Sequence, residues 1–310
     1  MTQKGHFTMK KLLAFLLAFV LLLSFAACDT SLPEEPEVPD EPVVEPTEPA
    51  EPAEAPKDRL AKIKEAGVIT VCTEPYFAPL EFIDPSKQGD EQYVGIDIEF
   101  AKVIADKIGV KLQVVPLEFS AVLAGIAEGK YDLAISALAW SKTRAETMNL
   151  SIGYYTSDEN DEYGFFCRTE DVDKYVDLDS LKDAVVITQS GSVQEGYYDE
   201  FVKECKEFKR TSSMVDSYLA VAEGKADVCI CSISAAKLWG EANGNVATVT
   251  SYRFPFDEAK GGTRVAACLE DTDSLIAIVN ECIEELTAEN KFKEWNDTYT
   301  EYAKSLGIEF

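Results

Sequence analysis

The chain has 310 residues, enough for two ordinary domains with a well-filled core. It carries 29 Lys and Arg against 56 Asp and Glu, a formal net charge of -27, which argues against a nucleic-acid partner, whose phosphates require clustered basic side chains. The one histidine, His6, lies in a leader expected to be cleaved; without it the mature chain has no Ser-His-Asp or Cys-His pair and no His-containing metal site, which weighs against a hydrolase.

In chain order, Lys4, Lys10 and Lys11 precede an apolar run at residues 12–20, extended by Leu21, Leu22, Leu23 and Phe25. The run falls short of the ~18–20 apolar residues that span a bilayer comfortably. It ends in Ala26 and Ala27 directly before Cys28, the small-residue ending of a cleaved signal peptide over residues 1–27. Small residues followed by Cys also resemble a bacterial lipobox, in which Cys28 is lipidated and becomes the mature N-terminus. The alternative is an N-terminal anchor helix. Neither leaves the protein in the cytoplasm, and the first leaves it lipid-anchored to the outer face of the bacterial cell membrane. From residue 33 to 56, Pro alternates with Glu, Asp and small residues. Such a segment lacks donors, repels itself and cannot bury a core, so residues 28–57 are expected to form an extended tether.

Folded structure is expected from Asp58 onward. Residues 68–71 are a β-branched run and predict a strand. Asp97 is a candidate N-cap for a helix with Phe100, Val103, Ile104 and Ile108 on one face. Residues 112–115 predict a strand, 121–128 a helix closed by Gly129, and 133–135 another strand. The second half repeats the plan: a strand at 184–187, a polar-faced helix at 193–207, a helix at 215–223 ending at Gly224, and a strand at 228–231. Leu275, Ile278, Val279, Cys282, Ile283 and Leu286 share a helical face, and Phe292, Trp295 and Tyr299 follow at similar spacing, which reads as core packing. This alternation implies α/β architecture with mostly parallel sheets. A local echo, Gly129-Lys130-Tyr131-Asp132 and Gly224-Lys225-Ala226-Asp227, leads in each half to a strand that runs into a serine, Ser136 or Ser232. It suggests two related lobes with their ligand edge at the strands' C-terminal ends. Beyond Cys28 an odd seven cysteines remain, several inside apolar runs, which favours buried free thiols and leaves one or two disulfides open.

From about residue 58 to 306 the chain resembles the bacterial extracellular solute-binding proteins of family 3, the polar amino-acid receptors of ABC importers. The resemblance rests on ordered motifs: Ile69-Thr70-Val71-Cys72-Thr73-Glu74 with Ala78-Pro79-Leu80-Glu81-Phe82, Val94-Gly95-Ile96-Asp97-Ile98, Gly129-Lys130-Tyr131-Asp132 to Ser136, Ser141 to Arg144, Gln189-Ser190-Gly191-Ser192, and Gly224-Lys225-Ala226-Asp227. It implies a two-lobed, periplasmic-binding-protein-like type II fold, each lobe a mostly parallel sheet flanked by helices, joined by a two-strand hinge near residues 154–157 and 261–264. Residues 58–155 with 264–310 are then one lobe and 156–263 the other.

The resemblance also implies the site. Arg144 binds a ligand carboxylate through its guanidinium fork. Ala137 and Ala139 offer backbone groups, Ser141 a hydroxyl at a helix start, Phe77 a stacking ring and Phe119 an apolar wall, with Tyr76 and Trp140 close by in sequence. Ser192, after Gly191, opens a second-lobe helix whose N-terminus favours an anion, and Gln189 is a polar position in that loop. Two departures stand out: Glu74 where most members have Asp, and Ser232 where they have the Asp that pairs with an α-ammonium. Glu74, Asp257 or a ligand without a standard amino group are the ways to accommodate the second. The implied function is extracytoplasmic binding of a small amino-acid-like carboxylate and delivery to an ABC transporter permease, with no cofactor, metal or catalysis. The alternatives are a dehydratase-like enzyme using Glu74 and a sensory or orphan binding lipoprotein.

Overall fold

The first helix, α1 (Arg59–Ala66), begins where Asp58 accepts a hydrogen bond from the Ala61 amide at 2.8 Å and ends at Gly67 in the left-handed region, the cap pair that polar and glycine residues favour. The chain continues through β1 (Val68–Thr73), β2 (Tyr76–Phe77), β3 (Glu81–Ile83), β4 (Tyr93–Val94), α2 (Ile96–Ile108), β5 (Lys111–Pro116), α3 (Phe119–Ala127), β6 (Leu133–Ala139), α4 (Lys142–Thr147) and β7 (Met148–Leu150). It then runs through β8 (Tyr163–Arg168), β9 (Val185–Gln189), α5 (Val193–Phe201), β10 (Glu207–Thr211), α6 (Met214–Ala222), β11 (Val228–Ser232), α7 (Ile233–Asn243) and β12 (Val246–Thr248) before β13 (Thr263–Cys268), α8 (Asp273–Ala288) and α9 (Lys291–Ser305). The structure is a computed structural model that describes residues 58–155, 162–255 and 261–307, all within one unit, Glu54–Phe310. The expected signal peptide, Cys28, the tether, the Ser157 end of the hinge and Asp257 lie outside the described residues.

Two five-stranded sheets form the frame, in the orders β5-β1-β6-β13-β7 and β10-β9-β11-β8-β12, with a small antiparallel sheet, β2-β3-β4, beside the first. Three neighbouring strands are parallel in each large sheet; β13 and β8 run against them. The sheets are therefore mixed in detail, although most strands share one direction. The first core packs Ile69, Val71, Leu133 and Ile135 of its sheet against Phe100 and Ile104 of α2 and Leu275 and Val279 of α8. The second packs Phe165, Val186, Val228 and Ile230 together, with Phe166, Tyr218 and Trp239 on the other face. Burying each such side chain contributes about 1.5–3 kcal/mol. Phe292 is buried in the first core and Trp295 and Tyr299 pack against it, as the spacing predicted.

The echoed motif proves to be a strand staple. The Asp132 carboxylate accepts from the Thr70 amide at 2.7 Å while its own amide donates to the Thr70 carbonyl at 3.1 Å, tying β6 to β1. Asp227 does the same with Val185, at 2.8 Å in both directions, tying β11 to β9. Arg59 and Arg168 neutralise the two acids.

Two expected elements differ. The helix over 193–207 ends at Phe201, because Glu207–Thr211 is drawn off as a strand by pairing with β9; alternation in that short charged segment is too weak to read. Asp97 is not the N-cap of α2. That position is Gly95, and Asp97 turns inward with no exposure to solvent. All seven described cysteines are free thiols, five of them buried, and burial pushes Cys72 up to about 12. Among the described residues no helix is long and apolar enough to cross a membrane.

Two segments cross between the halves side by side. Tyr154 donates to the Thr263 carbonyl at 2.9 Å and Thr263 donates to the Tyr155 carbonyl at 2.8 Å. Thr263, the first residue of β13, lies one position before the expected return to the first lobe.

Candidate functional site

The C-terminal ends of β1 and β6 in one sheet and of β9 and β11 in the other face a cavity of about 350 Å³, the edge at which open α/β sheets receive ligands. Arg144 enters it from α4. Ser141 caps that helix, its hydroxyl accepting from the Arg144 amide at 3.2 Å. Arg144 is 5 % exposed, and its guanidinium carbon lies 5.4 Å from the Phe119 ring centroid. Its Nη1 donates to the Ala139 carbonyl at 2.6 Å and its Nη2 crosses the cavity to the Gly191 carbonyl at 3.2 Å. Among the described residues no carboxylate pairs with it, and burial holds its pKa down at about 10. A buried guanidinium whose partners are only neutral carbonyls still favours an anion strongly.

Glu74 follows β1. Both its oxygens accept from Gln189 Nε2, at 2.9 and 3.0 Å, and that nitrogen also donates to the Ser212 carbonyl at 3.0 Å. With the Arg144–Gly191 bond, this makes three hydrogen bonds from one half to the other in the cavity wall, among the described residues, so the structure is a closed one. Burial raises the Glu74 carboxyl to about 7; the Gln189 bond opposes the rise, and nearby Asp216 and Glu118 add to it.

Between pH 4.5 and about 7 the folded chain thus holds a proton at Glu74 that the unfolded chain has released. Stability therefore falls as pH climbs through that window. Glu74→Gln should remove this decline and stabilise the ligand-free protein at pH 8 by on the order of 3 kcal/mol relative to wild type. Urea unfolding at pH 5 and pH 8 is the measurement, and an unchanged pH slope in the variant would exclude Glu74 as its source.

Nine of the ten expected site residues line the cavity: Arg144, Ala137, Ala139, Glu74, Phe77, Phe119, Gln189, Ser192 and Ser232. The tenth, Ser141, acts as the α4 cap and is not in the wall. Tyr76 is 56 % exposed, and neither it nor Trp140 lines the cavity. Two expected donors are already engaged. The Ala137 amide, held at a φ of 47°, donates to Asp97 Oδ2 at 2.9 Å. The Ser192 hydroxyl donates to the Gln189 carbonyl at 2.7 Å and accepts from the Glu195 amide at 3.1 Å as the cap of α5. Ser232 pairs with Ser234 at 3.1 Å.

Sequence reading missed Glu81, Tyr155, Tyr163, Lys237, Asn296 and Thr300, all in the wall. Glu81 had a legible signal, a lone acid between Leu80 and Phe82. Asn296 and Thr300 sit one turn apart on α9 beside its core face and carry no such mark. Among the described residues no group of three His, Cys, Asp or Glu side chains is arranged to hold a metal ion.

Two α/β halves closed over a cavity, with one buried cation in its wall, define a receptor for a small solute. The chain belongs to the bacterial extracellular solute-binding proteins, family 3, whose family profile matches residues 69–302. A solved amino acid ABC transporter substrate-binding protein from Streptococcus pneumoniae, bound to L-arginine, is 28% identical with a TM-score of 0.70, covering 79% of this chain and 98% of that one. Cyclohexadienyl dehydratase of Pseudomonas aeruginosa is 23% identical over 211 residues, 66% of this chain and 74% of that enzyme. Membrane-bound lytic murein transglycosylase F of Aeromonas hydrophila is 28% identical over 180 residues, and there the match spans 34% of the relative's length.

Proposed function

We propose that the protein captures an amino acid or a close derivative outside the cytoplasm and delivers it to the permease of an ABC importer. Arg144 carries this reading, as a buried guanidinium with no carboxylate partner among the described residues, in the wall of a 350 Å³ cavity. The ligand's carboxylate docks there, and closure about residues 154–157 and 261–264 brings up the loop of Gln189 and Ser192. A ligand moves the open–closed balance only by its differential affinity for the two forms. The segments 58–155 with 264–310 and 156–263 are the two moving lobes. Removal of residues 1–27 and lipidation of Cys28 hold the protein at the outer face of the membrane, with 28–57 as spacer; the charge and apolar pattern of the N-terminus supports this.

Thermal-shift assays with the standard L-amino acids and their α-amides test the reading. At about a hundred times Kd a bound amino acid should raise the unfolding midpoint by roughly 5–10 °C. Its amide, lacking the carboxylate, should not. Equal shifts from acid and amide would remove the role of Arg144. Consumption of a cyclohexadienyl acid would assign the site to a lyase using Glu74, the reading that the dehydratase relative favours.

A further inference from the structure

Ser232 brings no charge to a ligand's cationic group, so the counter-charge has to come from an acid in the wall: Glu74, Glu81 or Glu241. Both oxygens of Glu74 are taken by Gln189 across the cavity, and Glu241 is exposed. Glu81 differs from both. It is 1 % exposed at the cavity floor, its Oε1 accepts from the Ser136 hydroxyl at 3.2 Å, and its Oε2 has no hydrogen-bond partner among the described residues.

Asp97 explains how such a group survives burial. The Asp97 amide donates to the Leu80 carbonyl at 2.9 Å, which brings the start of α2 against the strand that carries Glu81. The Asp97 oxygens accept from the Tyr154 hydroxyl at 2.7 Å and the Ala137 amide at 2.9 Å, and the buried Asp97 carboxyl acts on Glu81 from beside it. Two carboxyls buried side by side favour a neutral, protonated form of one of them, and among the described residues no cation pairs with either. The other ionisable groups that face Glu81 are Glu74, after β1, and Tyr154, after β7; neither supplies a positive charge.

We propose that Glu81 is the specificity-determining acid that receives the ligand's cationic nitrogen, and that this cation enters in exchange for the proton Glu81 holds beside Asp97. The inference rests on the amino-acid reading of the same cavity. The exchange is balanced: an ammonium or guanidinium comes in, a proton leaves to solvent, and the buried charge does not change. Burial supports the protonated starting state, pushing Glu81 well above the usual carboxylate range and Asp97 to about 6. Affinity for a cationic ligand then rises with pH, by up to about tenfold per unit while the pair holds its proton.

Isothermal titration of the protein with L-arginine at pH 7, in buffers of different ionisation enthalpy, reads the exchange directly. Release of close to one proton per ligand is expected. Glu81→Gln should abolish the release and weaken binding by about tenfold or more, whereas Glu74→Gln should still release the proton. L-citrulline, without the side-chain cation, and N-acetyl-L-arginine, without the α-cation, identify which nitrogen Glu81 receives: the arm that loses proton release carries it. Infrared spectroscopy of ligand-free Glu74→Gln, in which Glu74 can no longer contribute, should also show a protonated carboxyl at neutral pH, a readout that does not depend on the Glu81 variant folding. Binding without proton release, or release that persists in Glu81→Gln, overturns the inference and leaves the proposed function standing. Failure of L-arginine to bind overturns it too; if other amino acids still shift the midpoint, the proposed function survives, and if none does, both fall.

Discussion

Arg144→Met should abolish ligand-induced thermal stabilisation while leaving the ligand-free protein nearly as stable as wild type. A carboxylate gripped by the guanidinium fork gains two charge-assisted hydrogen bonds, each contributing about 1.5–3 kcal/mol. Their joint loss corresponds to an affinity drop of about two orders of magnitude or more. The ligand-free cost is small for a separate reason. The substitution gives up two bonds to the neutral carbonyls of Ala139 and Gly191, but it also removes a buried cation without a carboxylate partner and keeps an apolar stem against Phe119. These effects oppose each other and should leave a net change within about 1 kcal/mol. Thermal shift and calorimetry on the same variant measure both quantities. Full ligand stabilisation in Arg144→Met would place the carboxylate elsewhere.

Gly95→Ala should cost about 4 kcal/mol or more, an exceptional loss for one methyl group. Gly95 has a φ of 126°, and a Cβ there would stand 2.2 Å from the Leu80 carbonyl oxygen, 2.7 Å from its carbon and 3.0 Å from the Glu81 amide nitrogen. These are backbone atoms of the cavity floor and cannot swing aside. Relief requires moving β3, and Glu81 with it, so the variant should lose ligand affinity as well as stability. Gly67→Ala is the control: its φ is 69°, nothing lies within 4 Å of its Cβ, and a loss of about 1 kcal/mol is expected. Urea denaturation of the two variants separates strain alone from strain with a clash. Similar losses would show that the close approach at Gly95 is absorbed locally.

Much of this architecture is legible along the chain because it depends on near neighbours. The β-branched run at 68–71, the glycines that end helices at 129 and 224, and the apolar stripe of α8 each declare an element within a few residues. The same locality explains the errors. Asp97 has the chemistry of an N-cap at the right distance from an apolar stripe, yet Gly95 begins the helix because the Leu80 carbonyl, from the turn before β3, takes the Asp97 amide. The helix read over 193–207 overran because strand pairing with β9, which defines β10, has no counterpart in local periodicity.

By itself the sequence determined two α/β halves and the edge at which they meet a ligand, and its resemblance to family 3 implied Arg144 as the cation there. Only the tertiary structure decided which polar groups are still available to that ligand. The Ala137 amide is engaged by a residue 40 positions away, Ser136 meets Glu81 across 55, and Glu74 is bonded by Gln189 across 115. Periodicity and capping act over one or two helical turns, whereas occupancy of a donor or acceptor is settled by whatever the fold brings beside it. For that reason Glu81, marked in the chain only as a lone acid between apolar neighbours, becomes a buried carboxyl at the cavity floor once Asp97 is folded against it.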